Sequence, residues 1–401
     1  MAKIFSTLTV FAALVLTTNS MALAQSAGFQ LNQHCPASFE LNRQGQCKLV
    51  SFYQMYDSVQ NRGLGGTQTS LPANRDGFTP KQIDLGRLLF FDPLLSADQS
   101  VSCASCHRPD KGFSDGLDQS IGIHHAKGLR SAPSLWNVAF LDKFFWDARA
   151  TTLEQQAVGP LFDANEMGNN PQQLLTSLQS NSYYPDLFKQ AFPDSKEIDL
   201  NQLAFALAAF QSSLISLNSR YDRYAHGYHP ALSDNEVAGL NIFRSFVARC
   251  AECHQPPLFT NNQIAVIGVA EKEGAPFDIG AQKTYNAAQL RGGFKVPTLR
   301  NITKTAPYMH AGNFSDLRES VEFYNKGRGH AVPKDEKLLL HWHIWEPKLS
   351  DKEIDLIVEF LGSLTDETLT PQIPSAVPSG LSPVDDSYIT NKTTTLANTG
   401  E

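Results

Sequence analysis

The sequence predicts a mainly α-helical protein made of two similar units that long loops join. No long run alternates apolar and polar residues with the period of a half-buried strand, whereas helix-start signals recur along the chain. The motif Cys-x-x-Cys-His occurs twice, at residues 103–107 and 250–254. With 401 residues, of which 42% are apolar, the chain is long enough for two domains that each bury a core.

The N-terminus has the pattern of an export signal. Lys3 supplies a positive end, an apolar run from Leu8 to Leu16 follows, and Ala22-Leu23-Ala24 is typical of a cleavage site. We therefore expect residues 1–24 to be removed near Ala24. The apolar run is shorter than the roughly 20 residues of a spanning helix, so we expect no membrane span in the mature form. These features predict a periplasmic protein.

The first segment of the mature chain, residues 25–75, is predicted to be an extension with a polar, glycine-rich end. It contains Cys35 and Cys47, which are the two cysteines outside the repeated motif. Disulfides persist in an oxidising compartment, so we expect these two cysteines to pair and to hold the extension in place.

Several helices are predicted from capping boxes and helical periodicity. A Ser or Thr followed three residues later by Glu or Gln predicts a helix start at Thr79, Ser233 and Ser350. The helix after Ser233 is expected to run straight into Cys250. Further helices are predicted near residues 172–180 and 199–224. The segment 366–401 is rich in Pro, Ser, Thr and Asn, and we expect it to be mobile.

The charge of the chain argues against one class of partner. The net charge is −7, and the sequence has no run of Lys and Arg. Nucleic acids are bound by basic patches that neutralise phosphate, so we expect no nucleic-acid partner.

The repeated Cys-x-x-Cys-His motif is the attachment signature of c-type haem. Two thiols three residues apart can add to the two vinyl groups of one porphyrin, and the next His lies under the iron. A thioredoxin-like pair would not need a His twice, and a zinc site of four thiolates would leave both His residues unexplained. We expect two covalently bound haem c groups in cytochrome-c-like domains at residues 76–225 and 226–365. The attachment residues and proximal ligands are Cys103, Cys106, His107, Cys250, Cys253 and His254.

From Asp84 to Leu364 the chain resembles the bacterial dihaem cytochrome c peroxidases and, within that superfamily, the MauG-like enzymes. The segments that carry the resemblance are Leu85-Gly86-Arg87-Leu88-Leu89-Phe90-Phe91-Asp92-Pro93, Phe145-Trp146-Asp147-Ala148-Arg149, Gly159-Pro160 through Glu166-Met167, Lys295-Val296-Pro297-Thr298-Leu299-Arg300-Asn301 and Thr305-Ala306-Pro307-Tyr308-Met309-His310.

The resemblance implies a division of labour between the two haems. The haem on His107 would react with hydrogen peroxide, and the haem on His254 would relay electrons. Trp146 matches a tryptophan that lies between the haems. The distal pocket over the reactive iron would contain Gln156, Pro160 and Glu166. Without the resemblance, a Trp in an apolar run is usually core packing and a single Glu is usually a solvated surface residue.

Two departures from the peroxidase pattern favour the MauG-like branch. Where peroxidases have a His that caps the reactive haem, this chain has Ile123, with His124 and His125 directly after it. Either His could still act as a shifted ligand. Where peroxidases have a Met on the second haem, this chain has Tyr324, and Met309 is a nearby competitor. A phenolate favours ferric iron, whereas a thioether favours ferrous iron and raises the potential.

Other positions leave the assignment less complete. The family's interhaem calcium ion uses backbone carbonyls that match Thr305 and Pro307, but its Asn ligand is replaced here by Ser131. MauG has a surface Trp at the position of Ala248. Two other tryptophans, Trp342 and Trp345, are candidates for its role.

Three functions follow as hypotheses. The first is a peroxidase that reduces hydrogen peroxide with electrons from a small cytochrome c or cupredoxin. The second is a MauG-like enzyme that oxidises Trp or Tyr side chains of a protein substrate. The third is an electron carrier without catalysis, which requires two strong axial ligands on both irons.

Overall fold

The computed structural model describes five parts of the chain, which are residues 28–51, 53, 70–272, 274–369 and 372–383. The predicted export signal and the glycine-rich end of the extension lie outside these residues. Within the described residues, no helix combines the length and the apolar character that a membrane crossing requires.

Helices dominate the described residues, as the sequence predicts. The helices are α1 Pro80–Phe91, α2 Cys103–Cys106, α3 Leu153–Phe162, α4 Pro171–Ser180, α5 Tyr184–Ala191, α6 Leu200–Ser212, α7 Arg220–Ala225, α8 Asp234–Phe243, α9 Cys250–Cys253, α10 Ala281–Tyr285, α11 Leu317–Lys326 and α12 Asp351–Gly362. The strands are β1 Phe39–Leu41, β2 Cys47–Leu49, β3 Ile264–Val266 and β4 Gly293–Lys295, and they form two antiparallel pairs, β1 with β2 and β3 with β4.

The three capping boxes read from the sequence are confirmed. The Thr79 hydroxyl accepts a hydrogen bond from the Gln82 backbone N–H, and the Gln82 side chain accepts one from the Thr79 N–H. The same exchange opens α8 and α12. Each box satisfies backbone donors that the first helical turn leaves without a partner, which fixes where these helices begin.

Each half of the chain is built on one close pair of crossing helices. In the first half α1 packs on α6, and in the second half α8 packs on α12. A glycine lies at each crossing, and a Cβ added there would meet the opposite backbone. It would lie 1.8 Å from the Ala206 carbonyl oxygen at Gly86, and 1.9 Å from the Leu356 carbonyl oxygen at Gly239. The two halves therefore repeat one packing solution.

Two helix predictions need correction. The predicted helix 199–224 is two helices, because Ser213–Ser219 separates α6 from α7. Within this segment the Asn137 amide donates to the Ser216 carbonyl and its side-chain oxygen accepts from the Ser216 N–H. Ser219 then opens a new capping box with Asp222. A side chain from outside the segment thus takes the place of the helical bonds.

The second correction concerns the approach to the second haem motif. The helix after Ser233 does not run into Cys250, because it ends at Phe243. The chain then turns, and Arg249 adopts a left-handed backbone conformation with φ of 56°. The motif Cys250–Cys253 forms a helix of its own, as Cys103–Cys106 does in the first half.

The Cys35–Cys47 disulfide closes a loop within the extension, and a C-terminal segment packs on the first half. Cys35 and Cys47 form a disulfide, with Cα atoms 5.6 Å apart, which joins the loop before β1 to β2. Within the predicted mobile tail, residues 372–383 differ from that expectation, since Val377 is 1% exposed in the core of the first half, and the rest of the tail from residue 384 lies outside the described residues. The Ser379 N–H also donates to the buried Asp92 carboxylate at 3.2 Å.

A fully buried ion pair joins distant parts of the chain. The Arg300 guanidinium donates to both carboxylate oxygens of Asp222, at 2.6 Å each, and Tyr53 donates to the same carboxylate. Burial alone would raise the pKa of Asp222, but Arg300 and these hydrogen bonds lower it below its usual value. Removal of one partner leaves an uncompensated buried charge.

The glycine crossings give the first test of the fold. We expect Gly86→Ala and Gly239→Ala each to lower the free energy of unfolding by about 1–3 kcal/mol, because the new methyl group must displace a backbone carbonyl. Gly362→Ala is the matched control, since no atom lies within 4 Å of the added Cβ on α12. Denaturant unfolding followed by circular dichroism measures all three. Equal effects at the three sites would contradict the proposed packing.

The buried ion pair gives a second test. We expect Asp222→Asn to lower the free energy of unfolding at pH 7 by about 3–5 kcal/mol, because Arg300 then lacks its counter-ion. The folded pKa of Asp222 is lowered, so the contribution is complete above about pH 4 and is lost as the pH falls below that value. Unfolding at pH 7 and at pH 3 should therefore separate the variant from the wild type most at pH 7. A difference that does not shrink in acid would contradict this assignment.

Candidate dihaem site

The first proximal histidine is fixed by the backbone that follows it. His107 ends the one-turn helix α2, and its Nδ1 lies 2.9 Å from the Phe113 carbonyl oxygen. A carbonyl can only accept, so Nδ1 carries the proton and Nε2 keeps a lone pair. Burial lowers the pKa of His107, and the carbonyls of Phe113 and Pro133 oppose that shift. The ring is therefore held as a neutral ligand.

The second proximal histidine is held in the same way. His254 ends α9, and its Nδ1 lies 3.1 Å from the Phe259 carbonyl oxygen. Burial lowers the pKa of His254 to about 4, against the effect of the Phe259 and Pro297 carbonyls. A hydrogen bond from the non-ligating nitrogen orients the ring and raises its basicity as an iron ligand.

The cysteines beside both histidines fit a covalent porphyrin. Cys35 and Cys47 form a disulfide, whereas the four motif cysteines form no disulfide and are partly exposed. Each motif cysteine pair lies on a single helical turn next to an imidazole whose Nε2 keeps a lone pair. This donor set suits two thioether bonds and one axial ligand, so the residues present fit haem c at both motifs.

Helix α3 and the loop after it bring the predicted distal residues together. Gln156 and Pro160 are one turn apart on α3, and both are half-buried. Glu166 follows the helix and is half-buried. The Glu166 carbonyl accepts from the Ile123 N–H at 2.9 Å, so the loop that contains Ile123 lies directly against the Glu166 backbone.

The Glu166 carboxyl has the electrostatics of a proton-transfer group. Burial raises its pKa, the charge of Asp163 raises it further, and Arg149 opposes the shift. Burial also raises the pKa of Cys103 to about 12, and the Glu166 charge contributes to that rise, which puts the carboxylate within electrostatic reach of the first haem motif. A carboxyl with a raised pKa is suited to general acid–base work.

Ile123 and the two histidines after it occupy different environments. Ile123 is 4% exposed and belongs to the core of the first half. His124 and His125 are exposed, and His124 lies 3.7 Å from the Asp98 carboxylate. Neither histidine ring is buried in the distal pocket, whereas Ile123 is buried next to Glu166.

Tyr324 lies on α11, next to the second haem motif. Burial raises its pKa, and the nearby Cys253 and Cys250 contribute to that rise. Met309 is half-buried in a loop, where its backbone has φ of 70° and its carbonyl accepts from the Ser131 hydroxyl at 3.0 Å. These positions are compatible with Tyr324 as the second axial ligand of the His254 haem.

An internal repeat, stronger than the sequence analysis recognised, relates the two halves. The segment Pro133-Ser134-Leu135-Trp136-Asn137 recurs as Pro297-Thr298-Leu299-Arg300-Asn301, and both asparagines adopt a left-handed backbone conformation. The offset that takes Pro133 to Pro297 also takes α3 onto α11, which has the same length. Pro160 in the first half therefore corresponds to Tyr324 in the second.

This correspondence distinguishes the two haem environments. Tyr324 offers a phenol oxygen at its helix position, whereas Pro160 has no side-chain donor atom. The same framework thus holds a candidate ligand at the second haem and an inert ring at the first.

The predicted interhaem residue Trp146 lies where the two halves meet. Its carbonyl accepts from the Lys295 N–H at 2.7 Å, and the His310 carbonyl accepts from the Ser131 N–H at 2.8 Å. The repeat offset takes Ser131 to Lys295 and Trp146 to His310, so the two bonds are equivalent. Reciprocal contacts of this kind define a two-fold interface, here between two halves of one chain. The Trp146 indole N–H also donates to the Ser131 carbonyl at 2.9 Å.

Four residues at this interface were not singled out from the sequence. They are Arg130, Phe294, Lys295 and His310, of which Lys295 and His310 were noted only as parts of matching segments. The Phe294 ring stacks on His310 with centroids 3.9 Å apart and meets Trp146 edge-on at 6.5 Å. The sequence signal that could have found them is the repeated Pro-[Ser/Thr]-Leu-x-Asn segment, which sets the offset between equivalent positions.

Charged groups surround this aromatic contact. The Arg130 guanidinium links Asp147 of the first half to Asp278 of the second, at 2.8 and 2.6 Å. Burial lowers the pKa of Lys295 to about 8, and the positive charge of Lys143 contributes to that shift. The interface thus contains an arginine whose charge is compensated by two aspartates and a buried lysine whose pKa is lowered.

The expected calcium position keeps only part of its ligand set. Thr305 and Pro307 are half-buried on the loop that packs against the first half. The Ser131 hydroxyl, which stands where the family has an Asn ligand, donates to the Met309 carbonyl. A calcium ion at Thr305 and Pro307 stays a prediction.

Comparison with known proteins gives consistent matches. The profile of the family "Di-haem cytochrome c peroxidase" matches residues 80–230. The methylamine utilization protein MauG of Methylorubrum extorquens is 34% identical over 74% of this chain and 82% of that protein. The cytochrome c551 peroxidase of Nitrosomonas europaea is 31% identical over 75% of this chain and 86% of that protein.

Solved structures agree with the sequence matches. A MauG-like protein associated with microbial copper homeostasis superposes with a TM-score of 0.68 at 29% identity, over 76% of this chain and 96% of that one. The diheme peroxidase BthA from Burkholderia thailandensis superposes with a TM-score of 0.65 at 27% identity, over 81% of this chain and 96% of that one.

The geometry and the comparisons agree on the cofactors and on the class of chemistry. Two Cys-x-x-Cys-His helices each present a neutral imidazole, and the matched proteins include both peroxidases and MauG. The chain belongs to the di-haem cytochrome c peroxidase family and is a haem oxidoreductase with two c-type haems.

Proposed function

We propose that the protein reduces hydrogen peroxide at the His107 haem with electrons that pass through the His254/Tyr324 haem and Trp146. The observation that carries this proposal is that equivalent helix positions hold Pro160 in the first half and Tyr324 in the second. A peroxide-reducing haem needs one face without a protein ligand, and a relay haem does not.

When bound, the first haem supplies the iron at which peroxide is held and its O–O bond is cleaved. Glu166 moves a proton from the inner to the outer peroxide oxygen. Its raised pKa makes the carboxylate a better base, so it is suited to accept the proton from one oxygen and return it to the other. Gln156 and Pro160 line the pocket on α3 without a charge. Ile123 fills the position at which a capping His would close the pocket.

His254 and Tyr324 would hold the second haem, and Trp146 lies at the interface between the halves. A phenolate ligand stabilises ferric iron, so Tyr324 would favour storage of an oxidising equivalent more than a thioether ligand would. Trp146 has its indole N–H bound to a carbonyl and its ring against Phe294, which holds the indole in one orientation.

The complete reaction takes one peroxide, two protons and two electrons to two waters. We propose that a small cytochrome c or cupredoxin supplies the electrons one at a time. The predicted export signal and the Cys35–Cys47 disulfide support a periplasmic location, because disulfides persist there.

Steady-state peroxide consumption with such donors tests the proposal directly. The wild type is expected to consume one peroxide for each two equivalents of donor oxidised. Negligible turnover with each soluble donor would exclude the peroxidase function.

A MauG-like function is the second candidate, and Tyr324 is the residue that favours it. An oxidising equivalent that is stored rather than rapidly quenched can be used to oxidise Trp or Tyr on a partner protein. Mass spectrometry of the product of a neighbouring gene, after treatment with this protein and peroxide, tests it. An unchanged mass would exclude that partner as the substrate.

An electron carrier without catalysis is the third candidate. It requires two protein ligands on the His107 iron as well. A resting spectrum without any high-spin ferric component would favour this function over the first two.

Glu166 gives a prediction for the peroxide step. We expect Glu166→Gln to lower kcat for peroxide by about 10²–10⁴-fold, because an amide cannot accept and return the proton. Since Glu166 must start as a carboxylate, wild-type activity should fall as the pH drops through its raised pKa, and the variant should lack that acid limb.

The exposed Glu359 on α12 provides the control, as Glu359→Gln removes the same charge away from the pocket. Unchanged visible spectra would show that both variants still hold their haems. Full activity in the Glu166 variant would remove this residue from the mechanism.

Tyr324 gives a prediction for the second haem. We expect Tyr324→Met to raise the reduction potential of the His254 haem, because a thioether favours ferrous iron. Potentiometry and electron paramagnetic resonance of the resting protein measure the change. Spectra of the second haem identical to those of the wild type would show that Tyr324 is not its ligand.

A further inference from the structure

The loop His341–Trp345 carries two tryptophans and lies against the second haem motif. The ring nitrogens of His341 and His343 and the Cys253 sulfur all lie within 4.8 Å of one another. Cys253 is one of the two sulfurs that attach the second haem. The loop therefore reaches the edge of that cofactor.

Trp342 connects this edge to solvent. Its side chain is 73% exposed, although a large aromatic residue normally buries most of its surface. The Trp342 ring centroid lies 3.5 Å from that of His343, so the exposed indole is in direct contact with the imidazole beside Cys253. A continuous line of contacts runs from the surface through Trp342 and His343 to the Cys253 sulfur.

The chain before the haem motif holds this loop in place. The Trp345 indole N–H donates to the Val247 carbonyl at 3.1 Å. The Arg249 guanidinium lies over the rings of Trp345 and Phe246, 4.4 and 4.1 Å from their centroids. Phe246 is itself 78% exposed. Trp342 and Phe246 thus form an exposed apolar patch that is continuous with the haem attachment helix α9.

We propose that Trp342 and His343 form the electron port of the second haem, at which a small electron-transfer protein docks through an apolar face. This inference rests on the proposed peroxidase function and names the place where its electrons arrive. The rate of electron transfer between proteins falls steeply with distance, so a partner that contacts Trp342 gains from the short path through His343 to Cys253. Each docking event passes one electron from the donor cofactor to the second haem.

A metal ion bound by Cys253, His341 and His343 does not explain the cluster. Metal coordination by cysteine requires the thiolate. Attachment to haem converts Cys253 into a thioether, which has no such charge. The two histidines are therefore available to bridge Trp342 to the cofactor.

The test is the anaerobic reduction of the second haem, without peroxide, by a small monohaem cytochrome c and by a cupredoxin. We expect Trp342→Ala to lower the second-order rate constant about tenfold or more, because it removes the central aromatic contact of the surface. His343→Leu should lower the same rate while Trp342 remains available for docking. Tyr228→Ala is the control, since Tyr228 is an exposed aromatic residue outside the port.

Two further measurements make the result specific. The potential of the second haem and its reduction by dithionite should be the same in all variants, because a small reductant does not need the docking surface. Equal second-order rate constants for reduction of the second haem by the protein donors, in Trp342→Ala and in the wild type, would overturn the proposed port. A wild type that dithionite reduces but neither protein donor reduces would also overturn it.

The port and the proposed function fail in different ways. Absence of peroxide turnover with a small-molecule donor would contradict the peroxidase function, whatever rates of haem reduction the variants show. Normal turnover with that donor, combined with unchanged rates of haem reduction by the protein donors in the Trp342 and His343 variants, would contradict only the proposed port.

Discussion

The orientation of the two proximal imidazoles is the constraint on which the rest of this structure depends. Each ring gives its Nδ1 proton to a backbone carbonyl five or six residues further on, at Phe259 or Phe113. That bond fixes both the tautomer and the direction of Nε2. The loop that supplies the carbonyl also packs its phenylalanine ring into the core, so the ligand geometry is tied to the stability of each half.

The two halves use one framework, and their chemical difference comes from few positions. Equivalent glycines allow the helix pairs to approach, equivalent asparagines turn the chain, and equivalent backbone bonds join the halves. Against this background, Pro160 and Tyr324 occupy the same helix position with opposite ligand properties. A duplicated fold can therefore assign catalysis to one haem and storage to the other with little change to its architecture.

Much of this could be predicted from local sequence. Capping boxes fixed the starts of α1, α8 and α12, because the bonds involved lie within four residues. The haem motifs were equally local. Predictions failed where a distant side chain decides the outcome, as when Asn137 binds the Ser216 backbone and interrupts a long helical pattern. Trp146 and Glu166 were found through family resemblance, whereas Phe294 and His310 needed the structure, since their contacts join residues far apart in sequence.

The C-terminal segment has a consequence for how the chain matures. Val377 packs in the core of the first half, and the Ser379 N–H donates to Asp92 directly after α1, so residues synthesised after the second half contribute to the packing of the first. Until they arrive, that unit lacks part of its apolar packing and stays open more often than the finished protein. The first half therefore depends on residues that follow the second half along the chain, so the two halves are not independent folding units.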